Sequence, residues 1–482
     1  MTVSTVSPVS PASRPSAFGP RSRRRVLGAL ASTGLIAGAG VAAAPTAFAS
    51  AADDCTVDNT VTSDATDQTA ELQTVIDEEG ILCLNGTFVL STALTFTADL
   101  VVYGLDAAVL DGDDVTQLLV GDAGLALTVD GVTFRNGFAD GIDGGTNGGA
   151  IEGGAITVVD STFIDNSAVG GIGGGAIYSE DSVDIVRSTF SGNFTGGGGG
   201  AVMAFFGAPV TVESSTFSNN AADEVGGAIS GYGVTVTDSE FVTNVASSGG
   251  AIHSEEGAVV ITRSGFQGNT AEILGGAVRS EAGFVQDPAA ASVMDSVFTD
   301  NIAGDEPGQG FGGAIASEVN LDVSGSTFGG NEAGVDGGAI YLDLETQQPP
   351  ALDVTNSTFV DNEAGNEGGA IFHAAAEIGF STFVGNTAAF PDEGIDLPGD
   401  ALYKTGDGVA VLRANIFAGT TGYPQLGVGN AVANTEYLDF DANVFTTRDN
   451  DFDLDTSLAA AESSIFEATY TEIFGTDTPQ LA

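Results

Sequence analysis

Carboxylates are the most numerous side chains in this sequence that could do chemistry. The 482 residues include 65 Asp and Glu against 12 Lys and Arg, a formal net charge of −53. One run places acids at every second position: Asp449, Asp451, Asp453 and Asp455. Such oxygens are the hard ligands that Ca²⁺ prefers, although Leu454 stands where an EF-hand loop needs glycine. Two interpretations stay open, a Ca²⁺ site and water-exposed acidic turns, and we expect no required cofactor.

Histidine is the side chain best suited to proton transfer near neutral pH, and the chain has two, His253 and His373. Both follow a Gly-Gly-Ala-Ile segment. No serine or cysteine nucleophile is tied to either by the sequence, so the pattern favours structural histidines over catalytic ones. Paired carboxylates could hydrolyse glycosidic bonds. At this acid content, however, neighbouring acids are unavoidable and identify no site.

Cys55 and Cys83 are the only cysteines. An even cysteine count in an exported chain favours one disulfide. Metal binding is the alternative, and the lack of a nearby histidine argues against it. We therefore predict a Cys55–Cys83 disulfide.

The N-terminal residues 1–49 have the layout of a secretory signal peptide. They contain five arginines and no acid, then an apolar stretch and an Ala-Phe-Ala site at 47–49. Residues 22–27 resemble a twin-arginine signal. We expect cleavage, with an uncleaved membrane anchor as the alternative, and no membrane span after it. The acidic remainder should repel nucleic acid and anionic membrane surfaces, so we exclude both as partners.

Two interleaved motifs repeat through the middle of the chain. Gly-Gly-Ala-Ile/Val recurs from residue 148 to residue 371, and Phe-x-x-Asn recurs nine times at steps of 24 to 32 residues. Two motifs that share one period indicate a repeat architecture. The Phe-x-x-Asn pairs are Phe163/Asn166, Phe190/Asn193, Phe217/Asn220, Phe241/Asn244, Phe266/Asn269, Phe298/Asn301, Phe328/Asn331, Phe359/Asn362 and Phe383/Asn386.

Short alternating segments between these motifs indicate strands rather than helices. Val234–Thr237, for example, has apolar residues at every second position. Units this small cannot bury themselves alone and should stack as coils. The pattern predicts an all-β, single-stranded, right-handed parallel β-helix. Equivalent phenylalanines should then stack inside it, and equivalent asparagines should form a hydrogen-bonded row at a turn.

The ends of such a solenoid need covers, because a terminal coil exposes unpaired strand edges. Residues Asp67 to Glu79 have the pattern of an amphipathic helix, with Asp67 as N-cap and Gly80 as the stop. We assign residues 50–90 to an N-terminal cap, 91–430 to the β-helix repeats, and 431–482 to a C-terminal coil and cap.

Gly-Gly-Ala-Ile repeated with Phe-x-x-Asn resembles the polymorphic outer membrane protein repeat of bacterial surface β-helix proteins with pectate-lyase-like architecture. The resemblance covers residues 131–403. It implies an extracellular passenger of the adhesin type, secreted or held at the cell surface. An extracellular glycan or a cell-surface ligand is the partner that this implies.

We therefore expect a monomeric adhesion or extracellular binding module without catalysis. Two alternatives stay open: a polysaccharide lyase or glycoside hydrolase that acts on an extracellular polysaccharide, and a purely structural component of the cell envelope. Polygalacturonase motifs are absent, which weakens the enzymatic alternative. Lyase chemistry of the pectate-lyase type uses Ca²⁺ and an arginine base, and only Arg263 and Arg279 lie about half a coil apart.

Overall fold

The predicted β-helix is confirmed, as a solenoid of about 11 turns, with one short helix among the residues that the structure describes. Neighbouring strands pair in parallel, each with its equivalent one coil away. The computed structural model describes the backbone and side chains of residues 54–140, 147–205, 207–282, 290–304, 308–342, 350–389, 400–405 and 410–418, and the backbone of strands Leu426–Val428, Leu438–Asp441 and Val444–Phe445. The predicted signal peptide and the run Asp449 to Asp455 lie outside these residues.

Each coil has four flat faces, which we number in chain order. Face 1 follows the Gly-Gly-Ala motif. Its strands are Leu94–Phe96, Leu119–Gly121, Ile151–Val159, Ile177–Val186, Val202–Ala204, Ile229–Gly231, Ile252–Glu255, Val278–Glu281, Ile315–Ser317, Ile340–Leu342, Ile371–His373, Leu402–Lys404 and Leu426–Val428, of which the third and fourth continue into face 2.

Face 2 carries the alternating segments found in the sequence. Besides the shared strands it contains Thr60–Thr62, Ala126–Asp130, Val210–Glu213, Val234–Thr237, Val259–Thr262, Ala291–Met294, Leu321–Ser324, Ala351–Thr355, Ala375–Gly379, Ala410–Arg413 and Leu438–Asp441. Two long N-terminal strands, Ile81–Val89 and Leu100–Asp111, run from face 2 into face 3.

Faces 3 and 4 are the short faces that carry the phenylalanine and the residues after the asparagine. Face 3 contains Thr133–Arg135, Thr162–Ile164, Thr189–Ser191, Thr216–Ser218, Glu240–Val242, Gly265–Gln267, Val297–Thr299, Thr327–Gly329, Thr358–Val360, Thr382–Val384, Ile416–Ala418 and Val444–Phe445. Face 4 contains Phe138–Ala139, Ser167–Ala168, Phe194–Thr195, Ala221–Ala222, Val245–Ser248, Thr270–Leu274, Ile302–Ala303, Glu332–Ala333, Glu363–Ala364 and Thr387–Ala388.

The helix α1, Thr69–Glu79, lies at the N-terminal end of the solenoid. Asp67 accepts hydrogen bonds from the backbone N–H (3.0 Å) and the hydroxyl (2.6 Å) of Thr69. Gly80 ends the helix in the left-handed conformation, with φ +66°, as its lack of a Cβ allows. Leu72 and Ile76 are buried against the first coils. The predicted disulfide is confirmed, and Cys55–Cys83 ties the segment before the helix to strand Ile81–Val89.

Phenylalanines of successive coils form one column inside the solenoid. Their ring centroids lie 4.6–4.9 Å apart and their planes deviate by 12° or less. The spacing is the strand spacing of the sheet, so sheet pairing sets the stacking distance. The column contains the nine predicted phenylalanines, with one more at each end: Phe134, Phe163, Phe190, Phe217, Phe241, Phe266, Phe298, Phe328, Phe359, Phe383 and Phe417.

The asparagines of the motif form a hydrogen-bonded row at the turn after face 3. Asn220 shows the pattern: its Nδ2 donates to Oδ1 of Asn244 (3.0 Å) and to the carbonyl of Phe190 (3.1 Å). Its backbone N–H donates to the same Asn244 Oδ1 (3.1 Å). All nine predicted asparagines belong to the row: Asn166, Asn193, Asn220, Asn244, Asn269, Asn301, Asn331, Asn362 and Asn386.

The burial of this row is a property that the sequence did not predict. The sequence placed the asparagines at a turn, where polar side chains are ordinarily exposed, yet every member of the row is at most 1% exposed. The physical reason is that each amide satisfies polar groups of both neighbouring coils, as Asn166 does with Phe134 and Asn193. A buried turn can then avoid unpaired backbone groups. The row ends at Asn386, whose Nδ2 donates to the Phe359 carbonyl (3.0 Å).

A row of serines holds the turn between faces 2 and 3. The hydroxyl of Ser215 donates to the Glu213 carbonyl (2.8 Å) and accepts the backbone N–H of Ser188 (3.0 Å). The row runs through Ser161, Ser188, Ser215, Ser239, Ser264, Ser296, Ser326, Ser357 and Ser381. Asn415 takes the serine's place in the next coil, where its Oδ1 accepts the Ser381 N–H. In the sequence, a serine stands two residues before each phenylalanine of the Phe-x-x-Asn motif. This repeated spacing could have predicted the serine row, and our prediction did not use it.

The Gly-Gly motif is required by close backbone packing. A Cβ on Gly227 would lie 2.1 Å from the carbonyl oxygen of Gly250 in the next coil. Its neighbour Gly226 has φ +63°, which side-chain-bearing residues rarely adopt. The motif therefore marks the corner where the chain enters face 1.

Candidate functional site

From strand Ala126–Asp130 onward, two corners of the solenoid keep one length in every coil. Between faces 2 and 3 the strands are separated by two residues, as Asp160 and Ser161 separate Val159 from Thr162. Between faces 3 and 4 the separation is again two residues throughout. Asparagine and serine rows lie at these corners and bond every coil to the next. An insertion there would break a row.

In these coils, all variation in length falls at the two corners that flank face 1. The earlier strands Ile81–Val89 and Leu100–Asp111 also differ from each other by a register shift where they pass from face 2 to face 3. Between face 1 and face 2 the connection ranges from the single residue 374 to the nine residues 282–290. Between face 4 and face 1 it ranges from residues 275–277 to residues 389–401. Insertions that fall on one side of a repeat protein commonly mark its binding side. We call face 1 with these two corners the variable side.

The outward positions of face 1 also differ from coil to coil. One position is in register along the solenoid because each residue is the strand partner of the next. Its occupants, which we call the outer column, are Glu152, Tyr178, Met203, Ser230, His253, Arg279, Ala316, Tyr341, Phe372 and Tyr403. The inward column of face 3 is phenylalanine in every one of these coils. The scaffold repeats and the outer column does not.

Residues just before the Gly-Gly motif lie against the outer column of the next coil. A Cβ on Gly173 would meet the sulfur of Met203 at 2.2 Å, and one on Gly198 would meet the Ser230 hydroxyl at 3.4 Å. Much of the outer column is therefore buried although it points away from the core. Side chains in such covered positions need either apolar surroundings or polar partners.

A cluster of charged residues occupies the middle of the outer column. Glu281 Oε1 lies 3.4 Å from Nε2 of His253 and 3.5 Å from Nε of Arg279. Arg279 Nη2 also pairs with Glu318, whose Oε2 accepts the backbone N–H of Ala282 at 3.1 Å. The Arg279 side chain is 2% exposed, whereas Glu281 is 34% exposed. The cations are thus covered and the carboxylates reach the surface.

The electrostatics of this cluster hold Glu281 ionised. The imidazole of His253, with Nε2 3.4 Å from Oε1, is the main cause that lowers the pKa of Glu281 to about 2; the charge of Arg279 adds to the effect and burial opposes it. Nearby Tyr232 has a raised pKa, caused first by burial and then by the charge of Glu255. The carboxylate of Glu281 is therefore a fixed negative charge beside an imidazole.

The C-terminal part of the variable side carries an aromatic row. Phe311, Tyr341, Phe372 and Tyr403 have successive centroid distances of 4.9, 5.2 and 5.4 Å. The last two pairs are stacked, so their ring faces are occupied by one another. Phe311 and Tyr341 are instead tilted, with an interplanar angle of 47°.

Asp336 is a buried acid at the corner before face 1. Burial raises its pKa to about 6, although hydrogen bonds from Asn366 Nδ2 (3.0 Å) and the Glu367 N–H (3.1 Å) act in the opposite direction. It is a proton-binding group of the variable side that the sequence did not identify.

The structure separates the residues that the sequence had offered for chemistry. His373 lies on face 1 several coils from His253, in an inward column. Arg263 pairs through both Nε and Nη2 with Asp238 on the opposite corner, away from Arg279. The sequence missed the Arg279–Glu281–Glu318 network because Glu318 is 39 residues from Arg279. The unequal lengths of the repeats were the one feature of the sequence that could have pointed to this part of the solenoid.

The acidic run Asp111–Asp114 is engaged by protein groups. Burial acts to raise the pKa of Asp111, but hydrogen bonds from Asn136, the Asp113 N–H and Arg135 together lower it. The Arg135 Nε–Asp111 Oδ2 distance is 2.7 Å. In the described part of the chain, no group of three or more His, Cys, Asp or Glu is placed to hold a metal ion. The proposed Ca²⁺ run at Asp449 to Asp455 lies elsewhere and stays a prediction.

Comparisons with known families agree with the repeat. The right-handed β-helix region matches residues 118–285, and the Chlamydia polymorphic membrane protein repeat matches residues 325–343. The resemblance to this repeat is confirmed. No curated protein sequence matches the chain. Among the described residues, no helix is long and apolar enough to cross a membrane.

Two solved structures are similar to this solenoid. Tailspike protein 3 of bacteriophage CBA120 is 11% identical with a TM-score of 0.36, over 77% of this chain. The chain spans 60% of the tailspike's length. A mannuronic-acid-specific polysaccharide family 6 lyase from human gut microbiota is 12% identical with a TM-score of 0.39, over 85% of this chain and 94% of the lyase. Neither likeness informs the chemistry of this chain.

Proposed function

We propose that the protein is a secreted or surface-associated binding module, monomeric, that holds an extracellular glycan or cell-surface ligand on its variable side. One observation carries this proposal. From strand Ala126–Asp130 onward, every difference in coil length falls at the two corners that flank face 1, while the other two corners are constant. A repeat protein that keeps its scaffold and varies one side is built like an extended binding surface.

The charge of the protein narrows the ligand class. With a net charge of −53, it repels polyanions at low and moderate ionic strength. Glu255, Glu281 and Glu318 add negative charge on the variable side itself. Neutral glycans and amino-sugar polymers are therefore the favoured ligands, and uronate polymers are disfavoured.

A glycan array carrying neutral, amino-sugar and uronate oligosaccharides tests this proposal with the whole secreted chain. Met203→Ser combined with Tyr341→Ser removes two half-buried side chains of the outer column. We expect at least tenfold weaker binding to the glycans that the wild type retains. The matched control is Thr189→Ala with Thr216→Ala on face 3, which should bind as the wild type does. Equal loss in both variants would contradict a binding side at face 1.

The charged cluster favours a second candidate, an enzyme that cleaves an extracellular polysaccharide. It supplies an imidazole, an ionised carboxylate and a guanidinium within one group, His253, Glu281 and Arg279. Incubation with pectin, alginate and glycosaminoglycan distinguishes the two candidates, with new reducing ends as the readout. Turnover that disappears in Arg279→Lys would establish the enzyme, and retention of intact chains supports the binding module.

A further inference from the structure

Three acids of successive coils lie in one row on face 2, towards the C-terminal end of the solenoid. Asp322 is the strand partner of Asp353, and Asp353 is the strand partner of Glu377. All three residues are exposed, and neighbouring strands of a sheet lie about 4.7–4.9 Å apart. We call these three residues the acid row. Like charges directly opposite one another destabilise the pairing of two strands.

The arginines of the described ranges do not neutralise the centre of the acid row. Each of them pairs with an acid of a neighbouring coil, and within the row only Glu377 receives one, with Arg413 Nη1 3.1 Å from its Oε1. Neither Asp322 nor Asp353 forms an ion pair in the part of the chain that the structure describes. The arginine pairs are Arg135–Asp111, Arg187–Asp160, Arg263–Asp238, Arg279–Glu318 and Arg413–Glu377.

The surroundings of Asp353 agree with a charge that is not compensated. Burial is the first cause that raises the pKa of Asp353, and the charges of Asp322 and Glu377 add to the effect. A carboxyl group whose pKa is raised by folding binds a proton more readily in the folded state, so its ionised form opposes folding at neutral pH. The charge of Asp353 therefore acts against the packing of these coils.

Dissolved salt weakens a repulsion of this kind. The Debye length is about 30 Å at about 0.01 M salt and about 3 Å at about 1 M, and only the second is shorter than the spacing of the acid row. Because each coil of a solenoid contacts only its neighbours, the repulsion acts on these three coils. We propose that the acid row makes the packing of these coils depend on ionic strength, so that they pack stably in concentrated salt and open in dilute salt.

The composition of the whole chain fits this inference. With 65 acids against 12 Lys and Arg, most carboxylates have no cationic residue to pair with. A net charge far from zero keeps a protein soluble but destabilises its compact state through self-repulsion. The inference goes beyond the proposed function, because the acid row lies on face 2, outside the variable side, and requires no ligand.

Melting curves of the whole secreted chain in NaCl at about 0.01 M and about 1 M test the inference. Asp353→Asn removes the central charge, and we expect it to raise the melting temperature by at least about 1 °C in dilute salt and to equal the wild type in concentrated salt. Asp322→Asn should act in the same direction. The matched control is Asp184→Asn, because Asp184 is also exposed on face 2 but has Thr157 and Thr211 as strand partners. It should leave the salt dependence unchanged.

Hydrogen exchange of the wild type shows where salt acts. The backbone amides of Ala351–Thr355, the strand of Asp353, should exchange at least about threefold faster in dilute than in concentrated salt. Those of Ile177–Val186, the strand of Asp184, should change less.

Equal salt dependence of melting in the wild type and in Asp353→Asn would overturn the inference. A second contrary result is a rise in melting temperature that saturates below about 1 mM CaCl₂ at constant ionic strength and disappears in Asp353→Asn, since the acid row would then be a cation site. Glycan-array binding by Asp353→Asn should equal that of the wild type, so failure of this inference is distinguishable from failure of the proposed function.

Discussion

The variable side and the opposite side of the solenoid are built by different rules. Opposite face 1, the coils from residue 151 to residue 388 have the same two-residue corners, a buried asparagine and a stacked phenylalanine. On the variable side the connections differ in length and the outer column holds eight residue types. The asparagine row, the serine row and the phenylalanine column all lie on this opposite side, which we call the constant side, so we expect stability to be concentrated there. The residues of the variable side can therefore differ from coil to coil and bind a ligand without a large loss of stability.

A phenylalanine of the constant side should give the largest change. Phe241→Ala removes a fully buried ring from the middle of the column and leaves a cavity between Phe217 and Phe266. We expect a loss of about 3–5 kcal/mol in the free energy of unfolding, measured by urea titration. Phe380→Ala, at a residue 68% exposed, is the control and should change little. A loss below about 1 kcal/mol for Phe241→Ala would contradict the column's role.

Arg279 is the residue of the variable side whose substitution should lower stability as much as that of a column phenylalanine. Arg279→Ala leaves Glu318 without its buried partner, and breaking a buried ion pair costs about 3–5 kcal/mol. Arg263→Ala removes a surface pair with Asp238 and should leave the unfolding midpoint unchanged. Equal midpoints for the two variants would show that the cluster is not a buried network.

An asparagine of the buried row should have an intermediate effect. Asn269→Ala leaves the Asn244 backbone N–H and the Phe241 carbonyl without the partners that the amide supplied. We expect a loss of about 2–4 kcal/mol in the free energy of unfolding, since each orphaned buried group costs about 1–3 kcal/mol. Gln267→Ala, two residues away and exposed, should be nearly neutral. Similar urea midpoints for both variants would contradict the row.

Acid should weaken the variable side through Glu281. Its folded pKa, about 2, lies below the ordinary glutamate value, so the stability from its ionised form is present at neutral pH. That stability is lost as pH falls from about 5 towards 2. The melting temperature of Glu281→Gln should therefore fall less between pH 7 and pH 3 than that of the wild type. If the melting temperatures of the two proteins fall by the same amount between pH 7 and pH 3, the His253–Glu281 pair is not formed.

Substitution of an uncharged residue of the outer column should lower the free energy of unfolding least. Met203→Ser changes a half-buried side chain and should lower the free energy of unfolding by about 1 kcal/mol or less. We expect this substitution to weaken ligand binding instead, as measured on the glycan array. A large loss of stability would make the outer column part of the scaffold instead.

The constant side could be predicted from the sequence almost residue by residue, and the variable side could not. Phe-x-x-Asn and Gly-Gly-Ala recur because neighbouring coils impose one geometry, so a period reveals it. The predicted N-cap, Asp67, was wrong by one residue: the N-cap is Gln68 and the helix begins at Thr69, whose backbone N–H donates to the Asp67 side chain. By contrast, Glu318 meets Arg279 only because a long connection separates two coils. Because this contact does not recur from coil to coil, the repeat pattern of the sequence cannot predict it.

Binding by two matched surface variants tests the central claim most directly. One replaces Met203 and Tyr341 of the outer column by serine, and the other replaces Thr189 and Thr216 of face 3 by alanine. Both are compared with the wild type on the same array of neutral, amino-sugar and uronate glycans. Loss of binding in the first variant alone is the result that we predict. Loss in the face 3 variant, with binding retained in the face 1 variant, would contradict the assignment of the variable side.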